Sequence, residues 1–214
     1  GSANVITSAI DAGVKSVVML STDKAVMPVN AMGMTKSLME KVAQAEMRGI
    51  LECKTVVSSI RYGNVMYSRG SVIPLFIKQI KEGSNITITE PSMTRFMLPL
   101  TQAVDLVLFA LKNANPGDIF VRKAPSARVD TLAEVLQKIF GRNVDVQNIG
   151  IRHGEKIHES LASAEELSRA EEIDDYFRIS MDERDINYEK YFSHGCNNLD
   201  GVDYTSGNTK ILNN

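Results

Sequence analysis

The sequence predicts an α/β fold in which part of a doubly wound parallel sheet is joined to a smaller α/β lobe. Residues 15–20, KSVVML, form a short β-branched apolar run of the kind that is buried on both faces of a parallel sheet, and residues 54–60 form a second strand. Between them, residues 30–48 place Leu38, Val42 and Ala45 at helical spacing, so the unit reads strand, helix, strand. From Asn85 onward the pattern changes to short strands and shorter helices, which marks the second lobe.

Taken in order, residues 4–12 form a helix with Val5, Ile6, Ala9 and Ile10 on its buried face, ended by Gly13. The first strand stops at Ser21, Thr22 and Asp23, and Pro28 and Asn30 then supply turn and N-cap chemistry for the helix over 30–48. After the second strand, residues 71–81 read as a helix closed by Gly83. There follow ITIT at 86–89, RFMLP at 95–99, a helix over 101–113, a strand over 118–122, a helix over 131–140 and a strand near 144–149. Beyond Asp182 the chain turns polar, rich in Asn, Asp and Gly, and is expected to wrap the surface or to be partly disordered.

In an open parallel sheet, ligands bind outside the carboxyl ends of the strands, so the Ser21-Thr22-Asp23-Lys24 loop stands where a substrate would sit. Met32 and Lys36, four residues apart, share one helical face and point back toward that loop. On periodicity alone, Met32 is a plain apolar residue of an amphipathic helix. A thioether has no ionisable proton and is only a weak acceptor, so Met32 cannot be a general base.

Residues 21–36, STDKAVMPVNAMGMTK, resemble the active-site stretch of the short-chain dehydrogenase/reductases, where Tyr-x-x-x-Lys stands in place of Met32-x-x-x-Lys36. In those enzymes the phenol exchanges a proton with a substrate hydroxyl, while the lysine lowers the phenol's pKa and holds the nicotinamide ribose. STDKA, with Pro28, Asn30, Gly33 and Thr35-Lys36, is similar to the bacterial polysaccharide-biosynthesis branch of the extended class, the UDP-N-acetylglucosamine 4,6-dehydratases. Within it, a capsule and O-antigen group that also carries Met-x-x-x-Lys looks most similar. The likeness continues, in the family's order, through RYGNV at 61–65, SRGSVIPLF at 68–76, TRFML at 94–98, RHGEKIHESL at 152–161, MDERDINYEKYF at 181–192 and DYTSGNT at 203–209.

That resemblance implies a division of the chain. Residues 1–84 would be the C-terminal part of a Rossmann-like NAD(P)-binding domain, 85–181 mainly the UDP-sugar lobe, and 182–214 a polar extension. No Gly-x-x-Gly-x-x-Gly turn occurs anywhere in the sequence. The expectation is therefore that about a hundred residues of the family's N-terminal half are missing, the usual length of a βαβαβ half-fold.

It also implies the chemistry. A 4,6-dehydratase passes hydride from C4 of the sugar to NADP (or NAD), eliminates water across C5 and C6, and returns the hydride to C6. Asp23 resembles the acid at C6 and Lys24 the base at C5, while Thr22 would hydrogen-bond the C4 hydroxyl and Lys36 the nicotinamide ribose. A lysine does this work only where desolvation or a nearby cation favours the neutral amine. The C4 base stays open between Lys24 itself and a water relayed by Thr22. Ser21, and Arg69 ahead of the helix at 71–81, would help bind the cofactor. Asn64, Arg95 and Arg152 resemble substrate-phosphate and UDP contacts, and Glu155 resembles the acid that hydrogen-bonds the uridine ribose. His153 and His158 flank the acidic Glu155 and Glu159, but histidines five apart do not share a helical face, so a metal site is not expected.

Three readings follow from these residues. The first is a 5-inverting UDP-N-acetylglucosamine 4,6-dehydratase of capsule or lipopolysaccharide synthesis. The second is a UDP-hexose 4-epimerase, which needs oxidation and reduction at C4 but no acid at C6. The third is a catalytically silent truncated product. The resemblance further implies a UDP-sugar as the partner and a homo-oligomer in the full-length family.

Composition bounds rather than decides. The chain has 214 residues, 43% hydrophobic and 23% charged with formal net charge −2, which carries no basic surplus for nucleic acid. No apolar run approaches the ~20 residues that span a bilayer, and the first residues lack the pattern of a secretory signal. Cys53 and Cys196 lie far apart without metal-ligand spacing, so neither a disulfide framework nor a zinc site is expected. The cytoplasm is the simplest compartment.

Overall fold

The computed structural model describes residues 1–48, 54–181 and 201–213; Cys53, Cys196 and most of the stretch at 181–192 lie outside them. In chain order the elements are α1 (Ser2–Asp11), β1 (Ser16–Leu20), a 3-10 turn (Asp23–Ala25), α2 (Ala31–Arg48), β2 (Val56–Arg61), α3 (Val72–Glu82), β3 (Ile86–Ile88), β4 (Thr94–Phe96) and α4 (Leu100–Asn113). They continue with β5 (Ile119–Arg122), β6 (Ser126–Arg128), α5 (Val129–Phe140), β7 (Val146–Asn148), β8 (Ser160–Ala162), α6 (Ala164–Leu167), β9 (Ala170–Ile173), β10 (Tyr176–Ile179), β11 (Tyr204–Thr205) and β12 (Ile211–Leu212).

The strand-helix-strand unit is present as expected. β1 and β2 run parallel with Ser16 opposite Val56 and Leu20 opposite Ile60, and β5 continues the parallel sheet beyond β2. The sheet is covered on both faces because successive side chains of each strand point to opposite sides. Met19 and Val57 pack with Ile6 of α1 and Met39, Ala43 and Met47 of α2. Val18, Ile60 and Phe120 pack on the other side against Leu106 and Ala110 of α4. Helix α2 starts where the sequence placed its cap, since Asn30 Oδ1 accepts from Gly33 N at 2.9 Å. Helix α3 ends on Gly83 in the left-handed conformation, φ 70°.

The main sheet does not stop at residue 84. Its order is β1-β2-β5-β10-β9, so residues 119–122 and the hairpin at 170–179 belong to it, and the two lobes interleave along the chain. The sequence reading missed this because the hairpin strands are four residues each and carry Glu171, Glu172 and Arg178, which break an apolar alternation.

The second lobe is built on α3 and α5. Phe76, Ile80, Ile86, Ile88, Met93, Ala133 and Leu136 form its core, with β3 and β7 paired in parallel alongside. The C-terminal residues 201–213 are not a loose wrap. β11 pairs antiparallel with β8, and β12 adds in parallel to β6, which itself pairs with β4. No helix among the described residues is long and apolar enough to cross a membrane.

Candidate active site

The loop that leaves the carboxyl end of β1 remains bonded to the end of β2. Ser21 N donates to Ile60 O at 2.8 Å and Asp23 N to Tyr62 O at 3.2 Å, which fixes the 3-10 turn at the sheet's edge. Thr22 caps that turn: its Oγ1 accepts from Lys24 N at 3.4 Å and donates to Asp23 Oδ1 at 2.8 Å. The Lys24 ammonium donates to the same Asp23 oxygen at 2.9 Å and lies 3.5 Å from Glu159 Oε1 at the start of β8. Asp23 is fully buried and Glu159 is 4% exposed. The other oxygen of each, Asp23 Oδ2 and Glu159 Oε2, has no hydrogen-bond partner among the described residues.

Thr22, Asp23 and Lys24 are thus brought together as expected, but the surroundings of Lys24 differ from expectation. Its neighbours are two carboxylates and not a cation, an arrangement that holds an ammonium in place. Helix α2 packs tightly on this turn. A β-carbon at position 33 would lie 2.2 Å from the Lys24 carbonyl oxygen, so only glycine allows the approach. From the other side the segment RHGEKIHESL crosses the loop. Lys156 Nζ donates to Val26 O at 2.6 Å, and Asn30 Nδ2 donates to Gly154 O at 3.4 Å.

Lys36 reaches the same end of the sheet, its Nζ donating to Leu20 O at 2.7 Å. An ammonium has three donors, so two remain for a ribose. Met32 is 48% exposed on the first turn of α2, and no phenol stands in its place. Arg69 is exposed just before α3, beside Gly70 with φ 76°. Lys36 and Arg69 keep donors that fit a nicotinamide cofactor, whereas the Ser21 hydroxyl is turned inward and donates to the buried Glu40 carboxylate.

Asn64 follows the end of β2, with its Oδ1 buried and unpartnered among the described residues. Arg95 commits Nη1 to two carbonyls, Thr94 O at 2.7 Å and Ile157 O at 3.2 Å, which leaves only part of its guanidinium for a phosphate. Arg152 is exposed, and its backbone N donates to Glu155 Oε2 at 3.2 Å, so these two residues form one small turn at the crossing segment. Asn64, Arg69, Arg95, Arg152 and Glu155 are not joined to the Asp23-Lys24 pair by any hydrogen bond or ion pair among the described residues.

Beneath the loop lies a buried charge network that sequence reasoning did not find. Arg61, 3% exposed at the end of β2, grips Glu40 of α2 with Nε and Nη2 at 2.8 and 2.7 Å. It grips Glu166 of α6 with Nη1 and Nη2, both at 2.8 Å. Burial opposes the guanidinium's charge, yet the two carboxylates hold Arg61 well above the ordinary arginine value. Burial likewise pushes the Glu166 carboxyl up, but hydrogen bonds and charge from Arg61 outweigh it and carry Glu166 below its ordinary value. The meeting of Glu159 with Lys24 was also missed, although Glu159 lies in the same RHGEKIHESL stretch as Arg152 and Glu155.

A parallel sheet wound on both faces, with Thr-Asp-Lys at a strand end and x-x-x-Lys on the following helix, defines an extended short-chain dehydrogenase/reductase. The chain belongs to the polysaccharide biosynthesis protein family: that family's model matches residues 1–181, and its C-terminal model matches residues 182–214. It is 55% identical, over its whole length, to a protein of Rickettsia rickettsii named UDP-glucose 4-epimerase, of which it covers 63%. The chain thus spans less than two thirds of the curated relatives it matches. The X-ray structure of Pen from Bacillus thuringiensis superposes with TM-score 0.83 at 36% identity, over 97% of this chain and 62% of that one. A point mutant of UDP-glucuronic acid 4-epimerase from Bacillus cereus, in complex with a fluorinated UDP-sugar and NAD, shares the fold at TM-score 0.66 and 16% identity, over 73% of this chain and 55% of that one.

Proposed function

We propose that the complete protein works on C4 of a UDP-linked hexose with a nicotinamide cofactor, and that it is a UDP-glucose 4-epimerase. The observation that carries this reading is the 55% identity along the entire chain to a protein of that name. It displaces the 4,6-dehydratase from first place, because the named relatives support C4 inversion and not elimination. NAD in the B. cereus structure supports the choice of cofactor class. Bound, that cofactor supplies the hydride acceptor at C4. Lys36, anchored on the Leu20 carbonyl, orients the ribose. Thr22 hydrogen-bonds the C4 hydroxyl and relays its proton to a water, while the Lys24 ammonium, held by Asp23 and Glu159, stabilises the alkoxide as it forms; Met32 has no proton to exchange. Asn64, Arg95 and Arg152 hold the diphosphate, and Glu155 the uridine ribose.

One observation favours a second reading, a 5-inverting UDP-N-acetylglucosamine 4,6-dehydratase serving capsule or lipopolysaccharide synthesis. Asp23 is fully buried against Lys24 with one oxygen unpartnered among the described residues, and an epimerase has no use for an acid at C6. Full-length protein incubated with UDP-glucose or UDP-N-acetylglucosamine, with NAD or NADP added, separates the two. The expected product is the galacto epimer, resolved by anion-exchange chromatography. A 4-keto-6-deoxy product absorbing in alkali would instead establish the second reading, and no product from either sugar would overturn both.

A further inference from the structure

We propose that Glu159 is a positioning residue for Lys24, and that the C-terminal segment at residues 204–207 sets Glu159 for that task. The ion pair at 3.5 Å is one leg of the case. The other is how firmly Glu159 is held. Its backbone N donates to Ser206 Oγ at 3.0 Å, and Ser206 N donates to its carbonyl at 2.8 Å, so one serine clamps both sides of the residue. Ser206 is fully buried, and its hydroxyl also bonds Thr94, to Oγ1 at 2.7 Å and to the carbonyl at 3.1 Å. Thr94 Oγ1 in turn meets His158 Nδ1 at 2.7 Å. Gly207 completes the clamp, since a β-carbon there would lie 2.9 Å from the His158 ring.

This construction has a direction. The hydrogen bonds fix the backbone of Glu159, while one oxygen of its carboxylate faces Lys24 and the other has no partner among the described residues. A buried carboxylate is costly without a charged partner, and the partner it has here is the Lys24 ammonium. Asp23 and Glu159 together hold the Lys24 ammonium from two sides, which confines a flexible four-carbon side chain to one position. That this position serves catalysis rests on the C4 reading above. That Glu159 holds Lys24 does not.

Two readouts keep those statements apart. The first is amine labelling of the full-length protein with a small acylating reagent, quantified at Lys24 relative to Lys36 by mass spectrometry. Glu159→Gln is expected to raise that ratio at least about fivefold with an unchanged circular dichroism spectrum, and Ser206→Ala to raise it less, in the same direction. A ratio within about twofold of the wild type in both variants overturns the proposal. General loosening of the fold would raise labelling at Lys36 and Lys156 as well, leave the ratio flat and count against it. The second readout is turnover of UDP-sugar: Glu159→Gln is expected to lower kcat at least about thirtyfold with KM within about threefold, and Glu159→Asp to restore part of it. If wild-type protein turns over neither sugar, the functional reading fails and the labelling ratio alone judges the role of Glu159.

Discussion

Lys24 has two carboxylate partners, so removing its side chain does more than delete a proposed catalytic group. In the full-length protein Lys24→Ala is expected to lower kcat by at least about a hundredfold, the lower end of what a positioned donor to a developing alkoxide contributes. It also leaves buried Asp23 and Glu159 without their ammonium partner. Retention of normal turnover would remove Lys24 from the mechanism. Met32 is the contrasting case. With a side chain half exposed and no proton to give, Met32→Leu should keep kcat within about threefold and stability within about 0.5 kcal/mol. A loss of kcat of about tenfold in that variant would show that the thioether does something its chemistry does not suggest. The Thr22-Asp23-Lys24 group was legible in the sequence because three neighbours at a strand end need no tertiary information to meet. Glu159 was not, since only the packing of β8 against the 3-10 turn, far away in sequence, brings it to the loop.

Among the elements, the β1-α2-β2 unit was readable because its helix is 18 residues long and β1 is almost wholly apolar. Strands β8 to β12, two to four residues each, hold too few positions to show a period of two. The β9-β10 hairpin did leave one trace, Asp174-Asp175 between two short runs, with Asp174 at φ 51°. Gly33 gives this scale its test. By helix propensity alone Gly33→Ala would gain about 1 kcal/mol. The contact of its β-carbon with the Lys24 carbonyl, 2.2 Å to a backbone oxygen, outweighs that gain. The expected result is a net loss of about 1–3 kcal/mol in urea unfolding, together with reduced turnover as α2 pushes the turn away. Stabilisation by this change would mean that α2 does not seat on the loop as described.

At the scale of the molecule, Arg61 ties together α2, the end of β2 and α6, and through Glu40 it also holds the hydroxyl of Ser21 at the root of the active loop. Pairing across such distances leaves no local signature, so nothing in the sequence marks these three charges as partners. Arg61→Met strands two buried carboxylates and should cost about 3–5 kcal/mol. The pH dependence follows from Glu166, whose folded-state carboxyl lies below its ordinary value of 4.5 because Arg61 outweighs the burial that pushes it up. Its contribution is complete above that ordinary value and is lost as pH falls through the lower, folded value. Asp118 acts in the opposite sense. Burial pushes its carboxyl above 3.8 despite Arg178, so its share of stability declines as pH rises from there. The wild-type curve mixes both, and a difference between proteins isolates one. Urea midpoints of wild type and Glu166→Gln, measured from about pH 7 down to about pH 3, should be separated by a constant gap at neutral pH that narrows below about 4.5 as Glu166 protonates. A gap of unchanged size across that range would show that the Arg61 network does not govern the acid limb of stability.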